Sequence, residues 1–305
     1  MGYAIALLVV AALFVVLELK TSRPDGTLIQ VHPYRRLMAF IMPTRSESIV
    51  FYDDYIDASN LLAFVASYKS SEVPVGVTHC VVAAANIGLS ETPAMNRFVM
   101  GGRMYQRKGR QITFSMKRKK LDQEAKLGVV KMSMNDRESF EGFCARVDKA
   151  INHQRSGERT YADKEYSLFN ALPRTVLRLA VPLLRFLDDR NILPNAFIEG
   201  DGMYTSMFIA NLGSLGMSAG FHHLYEWGNC PLFLMAGAVQ DRPVVVDGEV
   251  AVRKLLHLRY SYDERIDDGL TASFGMATVK RVLENPQEYL GAQPMLAHLR
   301  TDAEA

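Results

Sequence analysis

Residues 258 to 286 read LRYSYDERIDDGLTASFGMATVKRVLENP, and their layout sets the architecture of the chain. The opening residues close a strand-like run from Val250 to Ser261. Aspartates and a glycine interrupt it, and a helix is predicted from near Asp268 to Asn285-Pro286. Within the turn lies SYDERIDDG, Ser261 to Gly269, where Glu264 stands between an aspartate and an arginine.

The same alternation of strand and helix patterns fills the rest of the chain. Strand patterns cover Ile49 to Ile56, Arg110 to Lys117, Gly128 to Ser133, Ser206 to Asn211 and Leu232 to Val239. Helical patterns cover Ala58 to Ser70, Val77 to Ser90 with Thr78 as its N-cap, and Ser139 to Asn152. No fixed-period repeat is visible, so one α/β domain with a mixed β-sheet flanked by helices is expected.

Composition narrows the function classes. A chain of 305 residues with 49% hydrophobic and 22% charged residues is globular, and a net charge of +2 predicts no nucleic-acid partner. Cys80, Cys144 and Cys230 form no CxxC pair, so neither a zinc site nor a disulfide framework is indicated. Phosphate-binding, GxSxG, HExxH and GxGxxG motifs are missing, which leaves NTPase, serine-hydrolase, zinc-protease and Rossmann readings without support. The basic stretch Arg103 to Lys120 is read as a solvated hairpin, although phosphates or anionic headgroups could also use it.

The N-terminal residues carry the clearest local signal. Met1 to Leu17 has no charged side chain, and a helix through Leu19 would extend roughly 28 Å, close to a bilayer core. No basic n-region or small-x-small cleavage site accompanies it, so residues 1–19 are read as a single-pass membrane anchor rather than a signal peptide. Lys20, Arg23, Arg35, Arg36 and Arg45 all follow the span, which predicts a cytoplasmic body on the inner membrane. Residues 20–33, with Arg-Pro-Asp-Gly at 23–26, are read as a linker, 34–290 as the domain and 291–305 as a tail.

An apolar insertion is expected at about 166–200. Arg174, Arg178 and Arg185 fall within ~40° of one another on a helix whose other faces are apolar, and Pro182 is expected to kink or split it. Such a helix lies in a bilayer interface among lipid phosphates, or it is buried with its arginines snorkelling outward.

Four segments, taken in order, carry a family resemblance: PYRRLMAFIMPTRSESIVFYDDYIDASNLLAF (33–64), VTHCVVAAANIGLSETPAMNRFV (77–99), SMFIANLGSLG (206–216) and residues 258–286 quoted above. They resemble the catalytic domain of the 2-oxo acid dehydrogenase E2 acyltransferases, whose fold is shared with chloramphenicol acetyltransferase (CAT). The resemblance runs from about Val31 to Pro286 and implies a CAT-like fold. The chain departs from it in the anchor, the 166–200 insertion and the expected lack of lipoyl-bearing and partner-binding domains. It looks closer to stand-alone relatives with HHLYEWG and DERxxDG segments.

The resemblance implies a chemistry and also marks where this chain differs from it. In the family, a histidine of DHRxxDG deprotonates a thiol of CoA or dihydrolipoamide, and a serine stabilises the tetrahedral oxyanion. Those positions carry over to Glu264 and Ala210, whereas Asp263, Arg265, Asp268 and Gly269 keep the pattern. An unperturbed carboxylate is a weaker base than imidazole by roughly 3 kcal/mol. Losing an oxyanion donor costs ~3 to 4 kcal/mol, with Asn211 or nearby amides as replacements.

A second cluster, FHHLYEWG at 221–228, offers His222 and His223 as alternative bases, since the family places this segment beside its thiol-substrate channel. His222 and Glu226 would share a face of a helical turn as base and orienter. The competing reading is packing at a subunit contact. His79 is read as a core histidine, and nothing is assigned to His32 or His257.

Two functions follow from the resemblance. One is a membrane-anchored homotrimeric acyltransferase, with CoA, acyl-CoA or another thiol carrier as substrate and no covalently bound cofactor. Its site residues are His222 or His223, supported by Glu264 and Asp268. The other is a catalytically silent trimeric scaffold.

Overall fold

The computed structural model describes residues 2–118, 127–156, 158 and 161–297. In chain order the elements are α1 (Gly2–Leu19), β1 (Gly26–Leu28), α2 (Pro33–Ile41), β2 (Ile49–Asp57), α3 (Ser59–Ser67) and α4 (Val77–Glu91). Next come β3 (Arg97–Met100), β4 (Arg103–Arg107), β5 (Gln111–Lys117), β6 (Leu127–Ser133), α5 (Phe140–Arg155), α6 (Tyr161–Ala171), α7 (Arg174–Asp189) and α8 (Asn195–Gly200). The chain continues through β7 (Met207–Asn211), β8 (Leu232–Val246), β9 (Glu249–Asp263), α9 (Gly269–Glu284) and α10 (Pro286–Tyr289).

Six strands form the main sheet in the order β2-β9-β8-β7-β5-β6, with β7 parallel to β5 and β8 and the other pairings antiparallel. The expected mixed sheet is therefore present. β8 and β9 form a long hairpin closed by Asp247-Gly248, both with positive φ, as a tight two-residue turn of matching twist requires.

Side-chain alternation divides the core between the two faces of this sheet. Met207, Ile209, Leu232, Leu234, Leu256 and Leu258 face the main core, shared with α4 and α9. Phe208, Phe233 and Met235 point the other way, into a smaller cluster with Ala219, Leu224 and Cys230 from the 217–230 loop. At Gly88 an added Cβ would lie 3.0 Å from the Gly275 carbonyl oxygen, so its small size lets α4 and α9 approach closely.

Several expectations need correction. Residues 20–33 are not a free linker: β1 pairs with β4, and Arg23 and Asp25 are buried. Arg23 donates to Asp25 (2.7 Å), Asp188 (3.1 Å) and Asn191 (3.1 Å), while Asn229 donates to Asp25 (2.6 Å). Pro182 does not split α7, which runs through it; the break comes earlier, at Leu172-Pro173. Only Asp188 of α7 is buried, so the buried-helix alternative does not hold within this chain. Thr78 lies inside α4, whose N-cap is Gly76. Residues 103–107 and 111–117 do form strands, while Lys119 and Lys120 of the basic stretch lie outside the described residues.

Helix α1 is exposed along its length and is long and apolar enough to cross a membrane. Its end is held against the body: Arg190 pairs with Glu18 (2.5 Å), Arg103 donates to the Glu18 carbonyl, and Asn191 donates to the Lys20 carbonyl (2.9 Å).

Candidate active site

The end of β9 and the 217–230 loop meet over the smaller core. The FHHLYEWG segment is irregular rather than a helical turn, and residues of β9 and of the turn before β2 pin the backbone of the 217–230 loop. Ser261 Oγ donates to the His222 carbonyl (2.6 Å), Arg259 to the Ala219 carbonyl (3.0 Å), and Arg45 to the Tyr225 carbonyl (2.8 Å). Glu226 consequently orients no histidine. Its carboxylate accepts from Ser46 N (3.1 Å) and Oγ (3.4 Å), which corrects the expected His222–Glu226 pair.

His222 is held by stacking. Its ring lies on Phe233 with centroids 3.9 Å apart and planes 6° from parallel, and His223 stacks on it at 4.8 Å. Nδ1 of His222 is 2.7 Å from the His223 carbonyl oxygen. A carbonyl oxygen can only accept, so Nδ1 carries the proton and Nε2 keeps its lone pair. Burial lowers the pKa of His222 below the ordinary imidazole value despite the opposing effect of this hydrogen bond. The ring is thus a neutral base with one defined tautomer.

The DER segment separates into parts with different work. Asp263 and Arg265 form a buried bidentate pair, 2.8 Å at each contact, and Ser48 Oγ donates to Asp263 (2.8 Å). Arg265 also donates to the Met42 and Pro43 carbonyls, both at 3.1 Å. Glu264 lies between them, half-buried; its amide donates to the Ser48 carbonyl (2.9 Å), and its carbonyl accepts from Arg35 (3.1 Å). No hydrogen bond or ion pair joins Glu264 to either imidazole. Asp268 is the N-cap of α9, accepting from Thr271 N at 3.0 Å.

Ala210 lies on β7 between Ser115 of β5 and Met235 of β8. It packs against the cluster containing Phe233, the ring on which His222 rests. The position that carries the oxyanion serine by resemblance and the FHH loop therefore share one face of the sheet. Asn211 points to the opposite face, where its Nδ2 donates to Thr78 Oγ1 (2.7 Å) and its Oδ1 accepts from Ser214 N (3.2 Å). Asn211 is engaged there, so the expectation that it replaces the oxyanion serine does not hold.

Sequence reasoning missed a polar cluster on β2 and β9. His257 and Arg259 both contact Asp53 at 2.7 Å, and His257 stacks on Tyr55 at 4.4 Å. Burial opposes the Asp53 carboxylate, but hydrogen bonds from Arg259 and His257 outweigh it and hold the pKa below the usual value. The i, i+2 spacing of His257 and Arg259 was the available signal, but their partner is 204 to 206 residues away in sequence. His32 caps α2 through Tyr34 N (3.3 Å), and His79 accepts from Gly76 N (3.1 Å). Among the described residues no group of three or more His, Cys, Asp or Glu side chains could hold a metal.

Comparison with known proteins identifies relatives of the segments that build this region. Residues 200–291, which contain β7, the FHHLYEWG loop, β9 and α9, match the model of the 2-oxoacid dehydrogenases acyltransferase (catalytic domain). That match spans 92 of the 305 residues, so the likeness in sequence is confined to the C-terminal third. Among curated E2 relatives, the dihydrolipoyllysine-residue succinyltransferase component of the 2-oxoglutarate dehydrogenase complex of Cupriavidus necator is 45% identical over 53 residues. That match covers 17% of this chain and only 13% of the succinyltransferase. The lipoamide acyltransferase component of the branched-chain alpha-keto acid dehydrogenase complex of Pseudomonas putida is 44% identical over 46 residues, 15% of this chain and 11% of its own length.

The structural likeness to E2 enzymes extends much further. A probable dihydrolipoamide acetyltransferase from Listeria monocytogenes superposes with a TM-score of 0.57 at 18% identity, over 85% of this chain and 94% of its own. Dihydrolipoamide acetyltransferase from Azotobacter vinelandii gives 0.56 at 19% identity, over 85% and 93%. The chain has the E2 catalytic-domain fold, as the CAT-like expectation required.

Proposed function

We propose that this protein is a membrane-anchored homotrimeric acyltransferase that moves acyl groups between CoA, or another thiol carrier, and an acceptor through a non-standard site. The observation that carries the reading is the fixed tautomer of His222. Its Nδ1–H is committed to the His223 carbonyl and its Nε2 remains a lone-pair base, on the face of the sheet that also holds Ala210. His222 Nε2 takes the thiol proton, and the thiolate attacks the thioester carbonyl. Collapse of the tetrahedral intermediate expels the departing thiolate, which takes back the proton. His223, stacked on His222, keeps the ring in place, and Glu264 lends negative charge at the edge of the site.

The membrane part of the proposal rests on α1 and on the exposed α7. Leu179 and Leu183 are 71% and 56% exposed beside Arg174, Arg178 and Arg185, a pattern that suits a bilayer interface. Positive residues following α1 favour an inner-membrane protein with a cytoplasmic body.

The scaffold reading retains one argument: Asp263, Arg265 and Asp268 all serve structure, so the motif would persist without chemistry. The two readings separate in an assay of labelled acyl transfer from acyl-CoA to dihydrolipoamide by the full chain in detergent. His222→Ala should lower kcat/KM by about 10²- to 10⁴-fold, the usual range for a general base. His223→Ala and Glu264→Gln should cost less. Because burial lowers the pKa of His222, activity should survive acidification to below about 6.5, the ordinary imidazole value, before it falls. Acyl-CoA binding without turnover in the unmodified protein would favour the scaffold.

A further inference from the structure

A second cavity of about 350 Å³ lies between α2, the Gly101-Gly102 turn, the C-terminal half of α7 and the Glu226-Trp227-Gly228 bend. Neither His222 nor Glu264 lines it. Its position is fixed relative to α1. Arg190, in its wall, pairs with Glu18 and stands 5.6 Å from the Phe14 ring, while Arg103, next to the Gly101-Gly102 turn, donates to the Glu18 carbonyl. The elements that hold the body end of α1 therefore also build the cavity.

Its rim is apolar and its interior is charged. Phe40, which lines it, is 63% exposed, and Leu37 and Ile41 on the same short helix are 53% and 60% exposed. Leu184 contributes from α7. Inside, three of the seven charged side chains are already paired: Arg265 with Asp263, Arg190 with Glu18, and Asp188 with Arg23.

Arg45 is different. It is 5% exposed and donates to the Tyr225 carbonyl, but no carboxylate among the described residues lies within ion-pair distance. Burial works against its charge. Asp263 and Glu226 offset part of that cost through space without contacting the guanidinium, and an anion entering the cavity would relieve the remainder. Arg185 also lines the cavity and also lacks an ion pair among the described residues. Against these two cations stand Asp189 and Glu226. Burial pushes the pKa of Asp189 up even though the Gly101 amide and the charges of Arg190, Arg185 and Arg45 oppose it, so that carboxylate would still gain from a bound cation.

We infer that this cavity binds the head group of a membrane phospholipid that carries both phosphate and ammonium. The phosphate sits at Arg45 and Arg185, the ammonium faces Asp189 and Glu226, and the acyl chains leave over Phe40 and Leu184. The inference rests on α1 being a membrane anchor. A cavity of this size suits a head group rather than a whole lipid, and charge-assisted hydrogen bonds from arginine suit phosphate.

The test is native mass spectrometry of the full chain released from micelles containing phosphatidylethanolamine or phosphatidylglycerol. One phosphatidylethanolamine should be retained per chain, at least tenfold more than phosphatidylglycerol. Arg45→Met and Arg185→Glu should each reduce retention tenfold or more. Arg185 is exposed, so its variant carries the test if Arg45→Met fails to fold. Equal retention of the two lipids would overturn the charge assignment, and retention unchanged in Arg185→Glu would overturn the site. Displacement by soluble glycerophosphoethanolamine at equal concentration would overturn the part given to the acyl chains. Alkaline extraction of membranes distinguishes the two levels. A chain that stays in the pellet but retains no lipid overturns this site alone, while a chain found in the supernatant overturns the anchor and the site with it.

Discussion

Asp263 and Arg265 flank Glu264, yet the three side chains live in different surroundings. The outer two are 1% and 5% exposed and satisfy each other in bidentate fashion, so removing either leaves a buried charge alone. Arg265→Met should therefore destabilise the protein by about 3 to 5 kcal/mol. Glu264→Gln should change stability by no more than about 0.5 kcal/mol. Urea titration of both variants in detergent, followed by tryptophan fluorescence, would test this contrast; equal effects would show that the pair does not hold the turn. The contrast also explains what the sequence could say at this scale. The DER pattern and the departures at Glu264 and Ala210 were visible in the letters. The fixed tautomer of His222 was not, because it depends on a backbone carbonyl and a Phe233 ring brought up by the fold.

The helices and strands differ in how local their causes are. α9 begins where its sequence indicates, and Asp268 accepts from Thr271 N as an exposed cap. Asp268→Ala should cost about 1 kcal/mol, measured as a lower thermal midpoint, and Asp268→Asn should restore most of it. A neutral result for the alanine would remove the capping role. The β8–β9 hairpin was legible only in part: the runs Leu232 to Val239 and Val250 to Ser261 were visible, but β8 continues to Val246 and the Asp247-Gly248 turn was not read. β1 was not legible, because its partner β4 lies roughly eighty residues on and the Arg-Pro-Asp-Gly run carries only turn chemistry. α2 escaped notice because its apolar residues Leu37, Phe40 and Ile41 face outward, so no core-facing stripe identifies it. Pro182 misled for a simpler reason: a proline weakens a helix, but the flanking turns of α7 continue through it.

At the scale of the molecule, the β8–β9 hairpin ends in an unusually apolar exposed ribbon. Val245, Val250 and Val252 are 73%, 77% and 70% exposed in the single chain. Three β-branched residues spread over both strands of a hairpin are a ready contact surface, and the proposed homotrimer would cover them. Val250→Glu should shift the detergent-solubilised protein from trimer towards monomer in multi-angle light scattering. A wild-type monomer would defeat the trimer outright, and a mutant trimer would place the contact elsewhere. The fold itself was readable because its four motif segments are spread across the sheet and its covering helices. The proposed assembly follows only from the resemblance.

The buried knot around Arg23 and Asp25 bears on how the protein is made. A ribosome working from the N-terminal end finishes Arg23 while Asp188 is still 165 residues away, and Asp25 while Asn229 is 204 residues away. If α1 enters the bilayer as proposed, insertion precedes closure of the knot. The nascent body would then mature beside the lipid surface, and its last fastening would set the angle at which it sits.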